Sequence, residues 1–147
     1  MAQMKYCRIN LDKTNYTAMS DTNCRYIVHQ DLFPEMFDIY RKYCEHKQFD
    51  SVMPLFEQQF RDVSTEIVGY FSNRKLVAFS LIKLYDKDNA DALQFAWDYV
   101  NPKLRLGIES LKNECAIYKA RGYKYLYLGF ADGYKQQLDG FEILGRL

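Results

Sequence analysis

The stretch LRLGIESLKNECAIYKARGYKYLYLGF, Leu104–Phe130, carries the residues best placed to do chemistry. Gly107 stands where a helical pattern begins, with Lys103 and Arg105 just ahead of it. The first N–H groups of a helix have no intrahelical acceptor and lie at the positive end of its dipole, which suits an anion. A glycine there lets a phosphate approach without a Cβ in the way. Basic side chains beside it add charge-assisted bonds. Arg105, Leu106, Gly107 and Ile108 are therefore the expected phosphate contacts, mainly through backbone, with Lys103 alongside. The competing role for Gly107 is to ease packing of the helix on a sheet.

Other chemistry is sparse. Cys7, Cys24, Cys44 and Cys115 form no C-x-x-C pair, and His29 and His46 do not make H-x₃₋₅-H. No metal site is expected, and the cysteines read as buried free thiols. The 20 Lys and Arg nearly cancel the 19 Asp and Glu. Binding to DNA or polyanions in general needs clustered positive charge, so that class is set aside. No apolar run approaches the ~18 residues that span a bilayer. MAQMKYCRINLDK lacks an apolar signal core, so a cytoplasmic location is expected. A chain of 147 residues suits one domain, 1–147.

These residues need elements to position them. NLDKTNYTAMSDTNCR, Asn10–Arg25, reads as a polar loop and Tyr26–His29 as a short strand. Asp31 is placed to cap a helix with Pro34 in its first turn. Phe33, Met36, Phe37, Tyr40, Tyr43 and Cys44 then recur at helical spacing. A second helix is expected over MPLFEQQFRDV. EIVGYFS and KLVAFSLIKLY flank Asn73-Arg74 and read as a hairpin. Ala92–Val100 reads as a third strand with Leu93, Phe95, Trp97 and Tyr99 on one face.

Leu104, Ile108, Leu111, Cys115 and Tyr118 make the apolar face of the following helix, and Gly122 is its expected C′ residue. That helix should cross over between parallel strands. YKYLYLGF alternates, with Tyr123, Tyr125 and Tyr127 on one face and Lys124, Leu126, Leu128 and Phe130 on the other. The tyrosine row could stack bases, but core packing is the expected role. A short helix over GYKQQLD and a strand at FEIL close the order.

This order resembles the Gcn5-related N-acetyltransferase (GNAT) fold. YVNPKLRLGIESL stands where that family has its hydrophobic-x-Pro-x-x-Arg-Gly-x-Gly-Ile-Gly run, and DGFE, Asp139–Glu142, is similar to its Gly-Phe-Glu. LRLGIES with Glu114, and YLYLGF, more closely resemble the C-terminal domain of arginyl-tRNA–protein transferases. The cysteine-bearing N-terminal domain of those enzymes has no counterpart here, and their Lys-Met-x-Tyr-Lys segment is poorly kept in GYKQQLDGF. In the GNAT pattern the loop before the helix is one residue longer, and a small residue stands in place of Glu109.

The resemblance implies an α+β fold: a mixed, mostly antiparallel central sheet with helices on both faces, in α/β/α layers. It implies an N-acyltransferase that moves an acyl group from acetyl-CoA, or another acyl-CoA, to an amine of a small molecule or protein. The donor's pantetheine would lie where the third strand splays from the next, against Phe95, Ala96, Trp97 and Asp98. Asp98 would accept a proton through water, and Tyr134 would protonate the leaving thiolate. The alternatives are an aminoacyl-tRNA-dependent protein transferase, the one reading that calls for tRNA, and a non-catalytic binding protein that kept the fold. The family fold usually adds a strand after Phe141–Leu144. The edge left without it would be covered by a partner subunit, hence an expected homodimer, or by KYCRIN.

Overall fold

The structure, a computed structural model, describes residues 5–27, 33–47, 64–98, 106–131 and 133–146. In chain order the elements are β1 (Lys5–Asn10), a 3₁₀ turn (Leu11–Lys13), β2 (Cys24–Ile27), α1 (Phe33–Lys47), β3 (Thr65–Ser72), β4 (Lys75–Leu84) and β5 (Asn89–Trp97). Then follow α2 (Leu106–Ala120), β6 (Tyr125–Phe130), a 3₁₀ turn (Gly133–Gln137) and β7 (Phe141–Arg146). The hydrogen-bonded strand order is β2-β3-β4-β5-β6-β1-β7. β5 pairs with β6 in parallel, whereas the β1–β6, β1–β7, β2–β3 and β3–β4 ladders are antiparallel. This is the mixed, mostly antiparallel sheet expected of the GNAT fold. The helix expected over Met53–Val63 lies outside the described residues. The chain's contacts group into two compact units.

One unit comprises Met19–Lys83 and Leu93–Leu106. Its β3–β4 hairpin turns on Asn73 and Arg74, with φ of 53° and 67°. Two left-handed residues in a two-residue turn match the twist of the flanking strands. Asn73 tolerates that conformation well, while Arg74 holds it at some cost. α1 buries Met36, Ile39, Tyr40 and Cys44 against Ile27, Ile67, Phe71, Leu76, Phe79, Leu81 and Ala96. Phe37 and Tyr43, expected on the buried face, pack at its margin, and Ile39 takes a central place. On the exposed face Arg41 pairs with Asp38 at 2.9 Å and Glu45 at 2.8 Å. β2 begins two residues before the expected Tyr26, and its register aligns Ile27 with Ile67.

The other unit comprises Met1–Ala18, Leu84–Ala92 and Gly107–Leu147. The segment KYCRIN is an interior strand here, β1, seated between β6 and β7. KYCRIN is therefore not the expected edge cover: it lies inside the sheet, and among the described strands the order ends at β7. Cys7, Ile9, Leu11, Ala90, Leu111, Cys115, Tyr118, Leu126, Leu128 and Leu138 form its buried set. α2 ends as expected: Gly122 takes φ 92°, and Tyr123 N–H reaches the Tyr118 carbonyl at 3.1 Å.

Two expectations change in this unit. The tyrosine row is half-buried, and the leucine face of β6 is the core face. Tyr125 and Tyr127 instead hold Arg8, whose guanidinium lies 3.8 Å from the Tyr125 ring centre and 3.2 Å from the Tyr127 hydroxyl. The apolar face proposed for α2 is also incomplete. Ser110, Asn113 and Glu114 are as buried as Leu111, Cys115 and Tyr118. All four cysteines are free. No helix among the described residues is long and apolar enough to cross a membrane.

Candidate active site

α2 begins at Leu106, so Leu106, Gly107 and Ile108 form its first turn. Lys103 and Arg105 lie outside the described residues. Gly107 does not have a positive φ, and no described atom lies within 4 Å of where its Cβ would stand. Among the described residues, then, neither a positive φ nor a close neighbour calls for glycine at this position. Gly140 is the contrast, with φ +75° and the Asn10 backbone where its Cβ would stand.

Glu109 occupies the first turn too. Its carboxylate lies 3.9 Å from Lys112 Nζ, one turn further along the helix. That weak, half-exposed pair draws the negative charge away from the helix start. Ser110 closes the turn from inside, its hydroxyl donating to the Gly107 carbonyl at 3.1 Å.

β5 carries the second group of residues. Its described ladder with β6 covers Asn89–Asp91 against Tyr125–Tyr127, while β5 itself continues to Trp97. Asp98 N–H donates to the Val77 carbonyl of β4 at 3.1 Å. Backbone groups of successive strand residues point to opposite edges. Asp98 and Ala96 thus direct theirs toward β4, and Phe95 and Trp97 direct theirs toward the other edge.

Side chains follow their own alternation. Ala96 is fully buried in the α1 core, and Phe95 meets Tyr70 edge-on at 6.3 Å. Trp97 and Asp98 are half-buried. The expected row Leu93, Phe95 and Trp97 is half-buried, less so than Ala96 on the opposite face. The reason is that α1 packs on the Ala96 side.

Tyr134 is the second residue of the Gly133–Gln137 turn, which Lys135 ties to β6 by donating to the Leu128 carbonyl at 2.9 Å. Asp98 and Tyr134 belong to different compact units. The structure thus groups Leu106–Ile108 on one turn and Phe95–Trp97 on one strand, with Asp98 just past its end. The Cys115 thiol, by contrast, is pushed up to about 12 by burial and by the Glu114 charge, so it stays protonated and is no nucleophile. No cluster of His, Cys, Asp and Glu suited to a metal occurs among the described residues. Sequence reasoning missed the buried Ser110, Asn113 and Glu114. Ser110 and Glu114 stand within the quoted motif, but nothing in their periodicity marks them as buried.

The fold is GNAT-like. A structure from Elizabethkingia anophelis, a GNAT family acetyltransferase with acetyl-CoA bound, is 17% identical with a TM-score of 0.58 and covers 80% of this chain and 71% of its own. Yeast (Saccharomyces cerevisiae) N-myristoyltransferase with bound myristoyl-CoA is 10% identical with a TM-score of 0.62, covering 95% of this chain and 48% of its own. A protein of Enterococcus faecalis V583, described as a probable N-acyltransferase, is 10% identical with a TM-score of 0.66, covering 98% and 38%. The chain thus spans half or less of the last two proteins. At these identities the likeness is one of fold. Among curated proteins no sequence relative was found. Residues 27–140 match the profile of the arginine-tRNA-protein transferase C-terminus. The chain belongs to that family.

Proposed function

We propose that the protein is an N-acyltransferase that takes an acyl group from acyl-CoA, acetyl-CoA in the simplest case, and passes it to an amine. The observation that carries this reading is Gly107 in the first turn of α2, where the N–H groups lack intrahelical acceptors and no described atom stands within 4 Å of a Cβ position. A diphosphate fits such a site by charge and by room. We assign the donor's pantetheine arm to the stretch Phe95–Asp98 at the end of β5. Neighbours of the same fold hold acetyl-CoA and myristoyl-CoA, which supports the choice of donor.

The reaction follows from the chemistry of the pair. The amine nitrogen attacks the thioester carbonyl, the C–N bond forms, the C–S bond breaks, and the thiolate leaves. The amine loses a proton and the thiolate gains one. Asp98, at the end of β5, is the proposed acceptor through water, and Tyr134 the proposed donor. Positioning and backbone polarisation supply the larger part of the rate. Four free cysteines suit a reducing compartment, so we place the activity in the cytoplasm.

A second reading is favoured by the family itself. Membership of the arginine-tRNA-protein transferase C-terminal family supports an aminoacyl-tRNA donor in place of acyl-CoA. Thermal unfolding separates the two. Acetyl-CoA at ~100 times its Kd should stabilise the wild type by roughly 2.7 kcal/mol, and Gly107→Trp should abolish the shift. No shift from acetyl-CoA, with a shift from aminoacyl-tRNA, would reverse the order of the readings.

A further inference from the structure

We draw no further inference here: the strongest candidate, the patch that Tyr125 and Tyr127 of β6, Arg8 of β1 and Glu142 of β7 form on one face of the sheet, carries nothing because Arg8 already stacks on the Tyr125 ring and pairs with Glu142, and nothing in the structure shows what covers the patch.

Discussion

Thr65 opens β3 with its side chain 1% exposed, and its hydroxyl finds no hydrogen-bond partner among the described residues. An unsatisfied buried hydroxyl costs ~1–3 kcal/mol. Thr65→Val keeps the shape and removes the polar atom. We expect it to raise stability by ~1 kcal/mol, seen as a rise of a few degrees in Tm. A fall in Tm would mean that the hydroxyl is bonded after all. The two glycines of the site region make a related point. Both were legible as glycines, but their reasons were not. Gly140 is required by a positive φ and by the Asn10 backbone beside it. Among the described residues nothing stands where a Gly107 Cβ would be, which is what keeps it a candidate contact.

At the scale of elements, β1 is held by Arg8. Its Nε donates to Glu142 of β7 at 2.8 Å, and its guanidinium lies over Tyr125 of β6. The bond from Arg8 holds the Glu142 carboxyl below its ordinary value of 4.5, with burial opposing. A depressed carboxylate stabilises the fold above the unfolded value and loses that contribution as pH falls through the folded value. We therefore expect the wild-type Tm to fall more steeply than that of Glu142→Gln as the pH drops below about 4.5. Parallel curves would show that the pair contributes nothing, as many exposed pairs do.

The same element shows where sequence reading stopped. The hairpin at Asn73-Arg74 and the helix ending at Gly122 are local, set by residues a few positions apart, and both were legible. KYCRIN read only as an edge cover, because Arg8 meets Tyr127 and Glu142 at separations of 119 and 134 residues. No spacing rule reaches that far.

For the whole molecule, β1 covers one side of β6, and the strand order then ends at β7. Ile143 and Leu144 on that last strand are 51% and 45% exposed, with Tyr6 of β1 at 41%. An edge of this composition invites pairing, and we propose that a second copy provides it. Light scattering at micromolar concentration should then give twice the 17.5 kDa of one chain. A mass of 17.5 kDa would end the proposal.

Amino-acid types and short spacings determined by themselves the strands and helices from Tyr26 onward that the structure describes, the hairpin turn, the long helix with its glycine stop, and the motif that marks the family. These depend on period, capping and turn chemistry, which act over a few residues. Only the tertiary structure decided that the N-terminal segment is an interior strand, that Ser110, Asn113 and Glu114 are buried, and that Ala96 faces α1. It also decided that the Asp98 N–H, just past β5, turns to β4. Those properties depend on which distant segments lie on each face and edge, and burial is a property of that company rather than of the residue.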